Sequence, residues 1–177
     1  MSESISKQFM GLLNFSPLLR IRQNHGLEHA TLNLLSHRFP GRPMAGHSDL
    51  NGFRIVGDVP LEEMQSIVHE AWLRLSNGEH QLAVHPSCGT NYVVGGILAG
   101  SIAAFSMIGG GRRLRDKLER LPLTITLATI ALILSQPLGL LVQERVTTSG
   151  NLGPVKVVEI SSRNRGKMKV HRIITQN

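Results

Sequence analysis

The sequence predicts an α+β fold in three parts: a small domain at a membrane surface over residues 1–88, a two-helix transmembrane hairpin over 89–143, and a basic C-terminal β-hairpin over 144–177. Three observations predict it. Two 23-residue stretches, Gly89 to Gly111 and Leu121 to Gln143, contain no Asp, Glu, Lys or Arg. Two segments of the first half repeat apolar residues at helical spacing, and two runs near the C-terminus alternate apolar and polar residues about a turn.

Phe9 to Leu19 is an apolar patch that suits either an interfacial helix or packing on its own domain. Ser16 reads as an N-cap and Pro17 as a first-turn residue. They open a helix through Leu18, Leu19, Ile21, His25, Leu27, Leu32, Leu34 and Leu35 to about His37, where Arg38-Phe-Pro-Gly ends it. Phe53-Arg-Ile-Val has strand character after the turn pair Asn51-Gly52. From Pro60 to Leu75, the residues Leu61, Met64, Ile67, Val68, Ala71, Trp72 and Leu75 fall on one helical face, which Asn77-Gly78 closes. Gln81-Leu-Ala-Val-His85 reads as a short strand.

Each charge-free stretch is long enough to cross a bilayer, because ~20 residues at 1.5 Å rise span roughly 30 Å. Gly96 and Gly100 form a small-xxx-small pair, expected to pack within the hairpin. Pro137 is expected to kink the second helix or free a carbonyl. No ionisable residue lies inside either span, which argues against an ion or proton relay. Val155–Ile160 and Met168–Thr175 then flank Asn164-Arg-Gly as a β-hairpin. Two crossings return the chain to its starting side, so the tail can pair with strands of the N-terminal half.

The net charge of +7 is unevenly placed. Residues 1–88 carry seven basic and eight acidic side chains, the inter-helix loop five and two, and residues 144–177 seven and two. Attraction to anionic lipid headgroups near the loop and tail accounts for this excess, and the scarcity of aromatic residues in the tail argues against nucleic acid. Cys88 is the only cysteine, so no internal disulfide forms. The chain is expected to be integral to the inner or plasma membrane. The arginine-rich loop favours external termini. The 14 basic residues at the two ends, with no leader read at the N-terminus, favour cytoplasmic ones, and cytoplasmic termini are the expectation.

His25-Gly-Leu-Glu28-His29 carries the chemical interest. Residues four apart share a helical face, so His25 and His29 can present two imidazole nitrogens to one metal ion, with Glu28 at the edge of that face as a general base. The His-x-x-Glu-His order resembles, over these five residues alone, the inverted zinc motif of pitrilysin-like peptidases. His85 and Cys88, in Leu82-Ala-Val-His-Pro-Ser-Cys-Gly-Thr-Asn91, add further ligands at His-x-x-Cys spacing, and a His2Cys set suits zinc with water in the fourth position. The alternative is a hydrogen-bonded polar cluster, with Thr90 or Asn91 capping the helix and Cys88 a small buried side chain. Gly109-Gly-Gly111 lacks the Lys-Ser/Thr ending of a phosphate loop.

The run from Arg22 to Thr31, then Gly52-Phe, Gly57-Asp-Val and Gly78-Glu, then Leu82 to Asn91 before the apolar hairpin, resembles an uncharacterised family, a domain of unknown function. Its members are small two-span membrane proteins of cyanobacteria, Chloroflexi and other filamentous or photosynthetic bacteria. The likeness covers roughly residues 18 to 145, implies the membrane architecture and brings no activity with it. Two functions are therefore expected: a zinc site at the membrane surface, as a metal-dependent hydrolase if catalytic, or a non-enzymatic subunit or assembly factor that binds a protein partner.

Overall fold

The structure, a computed structural model, describes residues 11–108, 113–166 and 168–176. The start of the Phe9–Leu19 patch, the glycine run before Arg112, and Lys167 lie outside those residues. The described chain divides into two compact units, one holding the residues up to His85 with those from Glu144 onward, the other Pro86–Gln143.

The first unit opens with helix α1, Ser16–Arg38. Its first backbone bond runs from Leu19 N–H to the Phe15 carbonyl, so Phe15 takes the N-cap position and Ser16, expected to cap, lies inside the helix. Strand β1, Ala45–Asp49, pairs antiparallel with β2, Gly52–Gly57. The turn between them is held by Asn51 N–H donating to the Asp49 carboxylate at 2.8 Å. β1 has no sequence signature, because Ala-Gly-His-Ser-Asp contains no β-branched or aromatic residue. Helix α2, Leu61–Ser76, buries Met64, Ile67, Val68, Ala71 and Leu75. It ends at Asn77 and at Gly78, whose φ of +95° needs glycine.

The strand expected at Gln81–His85 is instead a 3-10 turn, His80–Ala83. Side chains of α1 explain the difference. Asn33 donates to the carbonyls of Leu82 and Val84 at 2.9 and 3.0 Å, and His29 holds the Ala83 carbonyl at 2.8 Å, so these acceptors are already used.

Strands β3, Lys156–Arg165, and β4, Met168–Gln176, form the C-terminal hairpin around Gly166. β4 also pairs with β2, giving a four-stranded antiparallel sheet of order β1-β2-β4-β3. The last strand is thus central in the sheet. One sheet face packs Phe53, Ile55 and Ile173 against Leu27, Leu35, Val59, Met64 and Val68.

His171 of β4 lies fully buried in this unit. The carbonyls of Gly57 and Val59 approach its ring, but neither nitrogen reaches hydrogen-bond geometry. Burial, assisted by the Lys169 charge, lowers its proton affinity; Asp58 in turn lies 3.8 Å from Lys169. The folded state therefore keeps His171 neutral while the unfolded chain takes up a proton below its ordinary value of 6.5. Stability is present above pH 6.5 and is lost as pH falls below it, at up to about 1.4 kcal/mol per pH unit. Thermal melts of wild type and His171→Leu at pH 7.5 and 5.0 check this: the acid-induced drop shrinks in the variant.

The second unit contains helices α3, Gly89–Met107, and α4, Leu114–Val142, the latter running into a π-helical turn, Gln143–Thr147. Both helices are long and apolar enough to cross a membrane. Their large apolar side chains point outward, Tyr92 being 74% exposed, Phe105 71% and Ile133 63%. α4 begins within the charged loop and continues through Pro122 and Pro137. Gly96 and Gly100, expected to pack within the hairpin, have no atom within 4 Å of where a Cβ would stand. The contacts are made by Gly95, one position before Gly96, against Ser135, and by Gly139 of α4 against Asn91. Within the same unit Asn91 donates to the Pro86 carbonyl and accepts from Gln143, both at 2.6 Å, and Ser106 meets Thr124 at 2.8 Å. Arg120 donates to the Ser106 and Ile108 carbonyls at the end of α3, where a cation suits the helix dipole.

Candidate metal centre

The middle of α1 is buried although much of it is polar: Arg22, Gln23, Asn24, Glu28, His29 and Thr31 all lie inside. Each buried polar group needs a partner, and these side chains find theirs mainly on backbone carbonyls of distant segments. Arg22 donates to Leu13, Arg145 and Thr148 at 3.2, 3.1 and 3.1 Å. Burial weakens its hold on its proton, although an arginine stays charged. Gln23 donates to Asn151 and Leu152 at 3.2 and 3.0 Å. Asn24 donates to the Asp49 carbonyl at 2.8 Å and accepts from Thr175 at 2.7 Å, bridging β1 to β4. Gly26 lies so close to the Ser149 carbonyl that a Cβ would collide with it. The helix is thus a rack that fixes residues 145–152 by their carbonyls.

On this rack the two histidines stand edge to face, with ring centroids 4.3 Å apart and ring nitrogens within 4.8 Å. His25 Nδ1 lies 3.0 Å from the Thr147 carbonyl, and His29 Nδ1 2.8 Å from the Ala83 carbonyl. A carbonyl oxygen can only accept, so in each neutral ring Nδ1 carries the proton and Nε2 keeps its lone pair. Histidine ligands are commonly held this way, the outer N–H fixed by a carbonyl and the inner nitrogen turned to the ion. A tetrahedral ion with bonds of about 2.1 Å holds its ligand atoms about 3.4 Å apart, and a pair within 4.8 Å reaches that spacing with a small movement of the rings. His85 brings a third imidazole, its centroid 5.8 Å from that of His29.

Glu28 makes different contacts. Its carboxylate accepts from the Ser48 hydroxyl and packs on Gly46, where a Cβ would overlap it, so it clasps α1 to β1. Cys88 belongs to the second unit and forms the N-cap of α3, its sulfur accepting from Thr90 N–H at 3.5 Å. The capping role expected of Thr90 or Asn91 therefore falls to the cysteine. Near the sheet edge the Arg172 guanidinium, hydrogen-bonded to Asp49 at 2.7 and 2.9 Å, holds that carboxyl below the usual carboxylate range.

Residues 20–160 match a family described as a domain of unknown function, DUF6391. The chain belongs to the DUF6391 family. An uncharacterised protein of Picosynechococcus sp. (strain PCC 7002) is 34% identical over 161 residues, covering 82% of this chain and 76% of the relative. No solved structure matches the chain. The matched DUF6391 region contains the carbonyl-binding rack, both histidines, His85, Cys88 and the two apolar helices. Sequence reasoning missed Arg22, Gln23, Asn24 and Asn33. The signal that could have found them is the lack of a clear apolar stripe through Arg22-Gln-Asn-His, since such a helix must bury polar side chains or stay exposed.

Proposed function

We propose that this DUF6391 protein is a two-span membrane protein whose surface domain binds a divalent metal, zinc by its donor set, through Nε2 of His25 and His29. The observation that carries this reading is the pair of carbonyls, of Thr147 and Ala83, that fix both rings in the tautomer a ligand needs. His85, its ring centroid 5.8 Å from that of His29, is the third ligand of this unit, and the His-x-x-Cys spacing makes Cys88 the candidate for the last. Cys88 follows His85 by three residues and opens a helix, where the helix dipole favours a negatively charged sulfur. The outward apolar side chains of α3 and α4 support burial in a bilayer; the 14 basic residues of the two chain ends are the ground for placing both termini on its cytoplasmic side.

When bound, zinc would supply Lewis acidity, and would lower the pKa of a water ligand only where one of its four positions is left open by the protein. The chain's own residues hold and orient it. Glu28, engaged by Ser48, acts here as a clasp, which favours a metal-binding role over a hydrolase. A hydrolase would need that carboxylate turned towards the metal as base. Cobalt(II) substitution of the detergent-purified protein tests the ligand set: visible bands are expected, with a near-ultraviolet thiolate band lost in Cys88→Ser. A cobalt spectrum that Cys88→Ser leaves unchanged would remove the cysteine from the set. If Glu28→Gln retained metal but abolished a hydrolytic activity, the catalytic reading would replace the clasp.

A further inference from the structure

The sheet face turned away from α1 and α2 gathers cations from the two halves of the chain. The register sets Arg54 of β2 directly opposite Arg172 of β4, and Arg172 opposite Ser161 of β3. Two residues along, Val56 pairs with Val170, and Val170 with Arg163; beyond them Met168 pairs with Arg165. Alternate residues share a face, and Phe53, Ile55, His171 and Ile173 are the buried ones. The arginines and valines therefore stand on the other side, with Arg54, Arg163 and Arg165 exposed. Within this unit α1 packs on β1 and β2, and α2 on β3.

Opposed like charges weaken a strand pair. Asp49 relieves one of them through its two bonds to Arg172. Arg54, Arg163 and Arg165 make no ion pair among the described residues. Four guanidinium groups on one face against the carboxylates of Asp49 and Glu159 leave an excess of positive charge, interleaved with Val56, Val170 and Met168. Guanidinium forks match phosphate oxygens in pairs, and aliphatic neighbours suit the boundary between headgroup and acyl chain.

We propose that this open sheet face binds the phosphate headgroups of anionic lipids. The inference rests on the membrane-spanning reading. Three residues separate His85, the last of this unit, from Gly89, where α3 begins, so roughly 15 Å of chain at most tethers the unit to its anchor. Such a tether keeps the local lipid concentration high. Nucleic acid fits less well, because no Phe, Tyr or Trp on this face offers a stacking platform. Arg54 comes from the half of the chain without basic excess, and the β2–β4 pairing brings it beside the tail arginines.

Native mass spectrometry of the full-length protein in detergent, titrated with phosphatidylglycerol or phosphatidylcholine, tests the proposal. Wild type is expected to retain phosphatidylglycerol selectively. Arg54→Gln/Arg163→Gln is expected to lose about fivefold of that retention per arginine, while Arg54→Lys/Arg163→Lys keeps most of it. Equal retention of the two lipids by wild type would overturn the proposal. So would selectivity that survives in the glutamine variant but disappears in Arg115→Gln/Lys117→Gln, or competition of oligouridylate for the same arginines. Release of wild type from membranes by alkaline carbonate would instead refute the membrane reading itself, a separate outcome.

Discussion

Gly26→Ala is expected to lower stability by about 3 kcal/mol, at the upper end for overpacking a well-filled site. The added methyl meets the Ser149 carbonyl, a backbone group that cannot rotate aside. Relief requires α1 to move off residues 147–149, which also loosens His25 from the Thr147 carbonyl. Thermal unfolding in detergent measures the loss, and bound metal is expected to fall with it. Gly96→Ala provides the contrast. It has open space around the new Cβ, in a helix where alanine is the better helix former, so its melting temperature stays level or rises slightly.

Arg22→Met is the second large effect. Three carbonyls, of Leu13, Arg145 and Thr148, lose a charged donor at once, and methionine fills the volume without replacing any bond. Hydrogen bonds to charged groups are worth about 1.5–3 kcal/mol each, less where a freed carbonyl finds water, so a total loss of about 3 kcal/mol is expected. Arg22→Lys keeps the charge but not the fork and should fall between the two. Arg22 grips residues 145 and 148 on either side of the His25 partner. Metal affinity is therefore expected to follow the same order as stability across the three proteins.

Much of the fold was legible because its elements carry periodic signals. α1 and α2, the strand at Phe53–Val56, the two apolar helices and the C-terminal hairpin all follow from spacing and turn residues. What escaped was decided by side chains acting across the chain. β1 owes its pairing to β2 and to the turn at Asn51, since Ala-Gly-His-Ser-Asp has little strand preference of its own. The strand expected at 81–85 is lost because Asn33 and His29 take the carbonyls of Leu82, Ala83 and Val84. Gly95, not the expected Gly96, seats the hairpin, because one position turns a helical residue by about 100°, and Gly139 seats it from the facing helix.

The candidate centre was legible in part. The spacing of His25 and His29 was enough to pair them, but sequence could not show the carbonyls that fix their tautomers, which come from residues 54 and 122 positions away. Spacing alone likewise placed Glu28 beside the histidines. Its folded partners, Ser48 and Gly46, belong to the strand that the sequence did not announce.

The central claim is that His25 and His29 hold a metal ion. Elemental analysis of the detergent-purified wild type beside His25→Ala/His29→Ala tests it most directly, with circular dichroism confirming that both are folded. About one zinc per chain in wild type and none in the double variant is the predicted result. Folded wild type that takes up no metal after resupply, or a double variant with undiminished zinc, would contradict it.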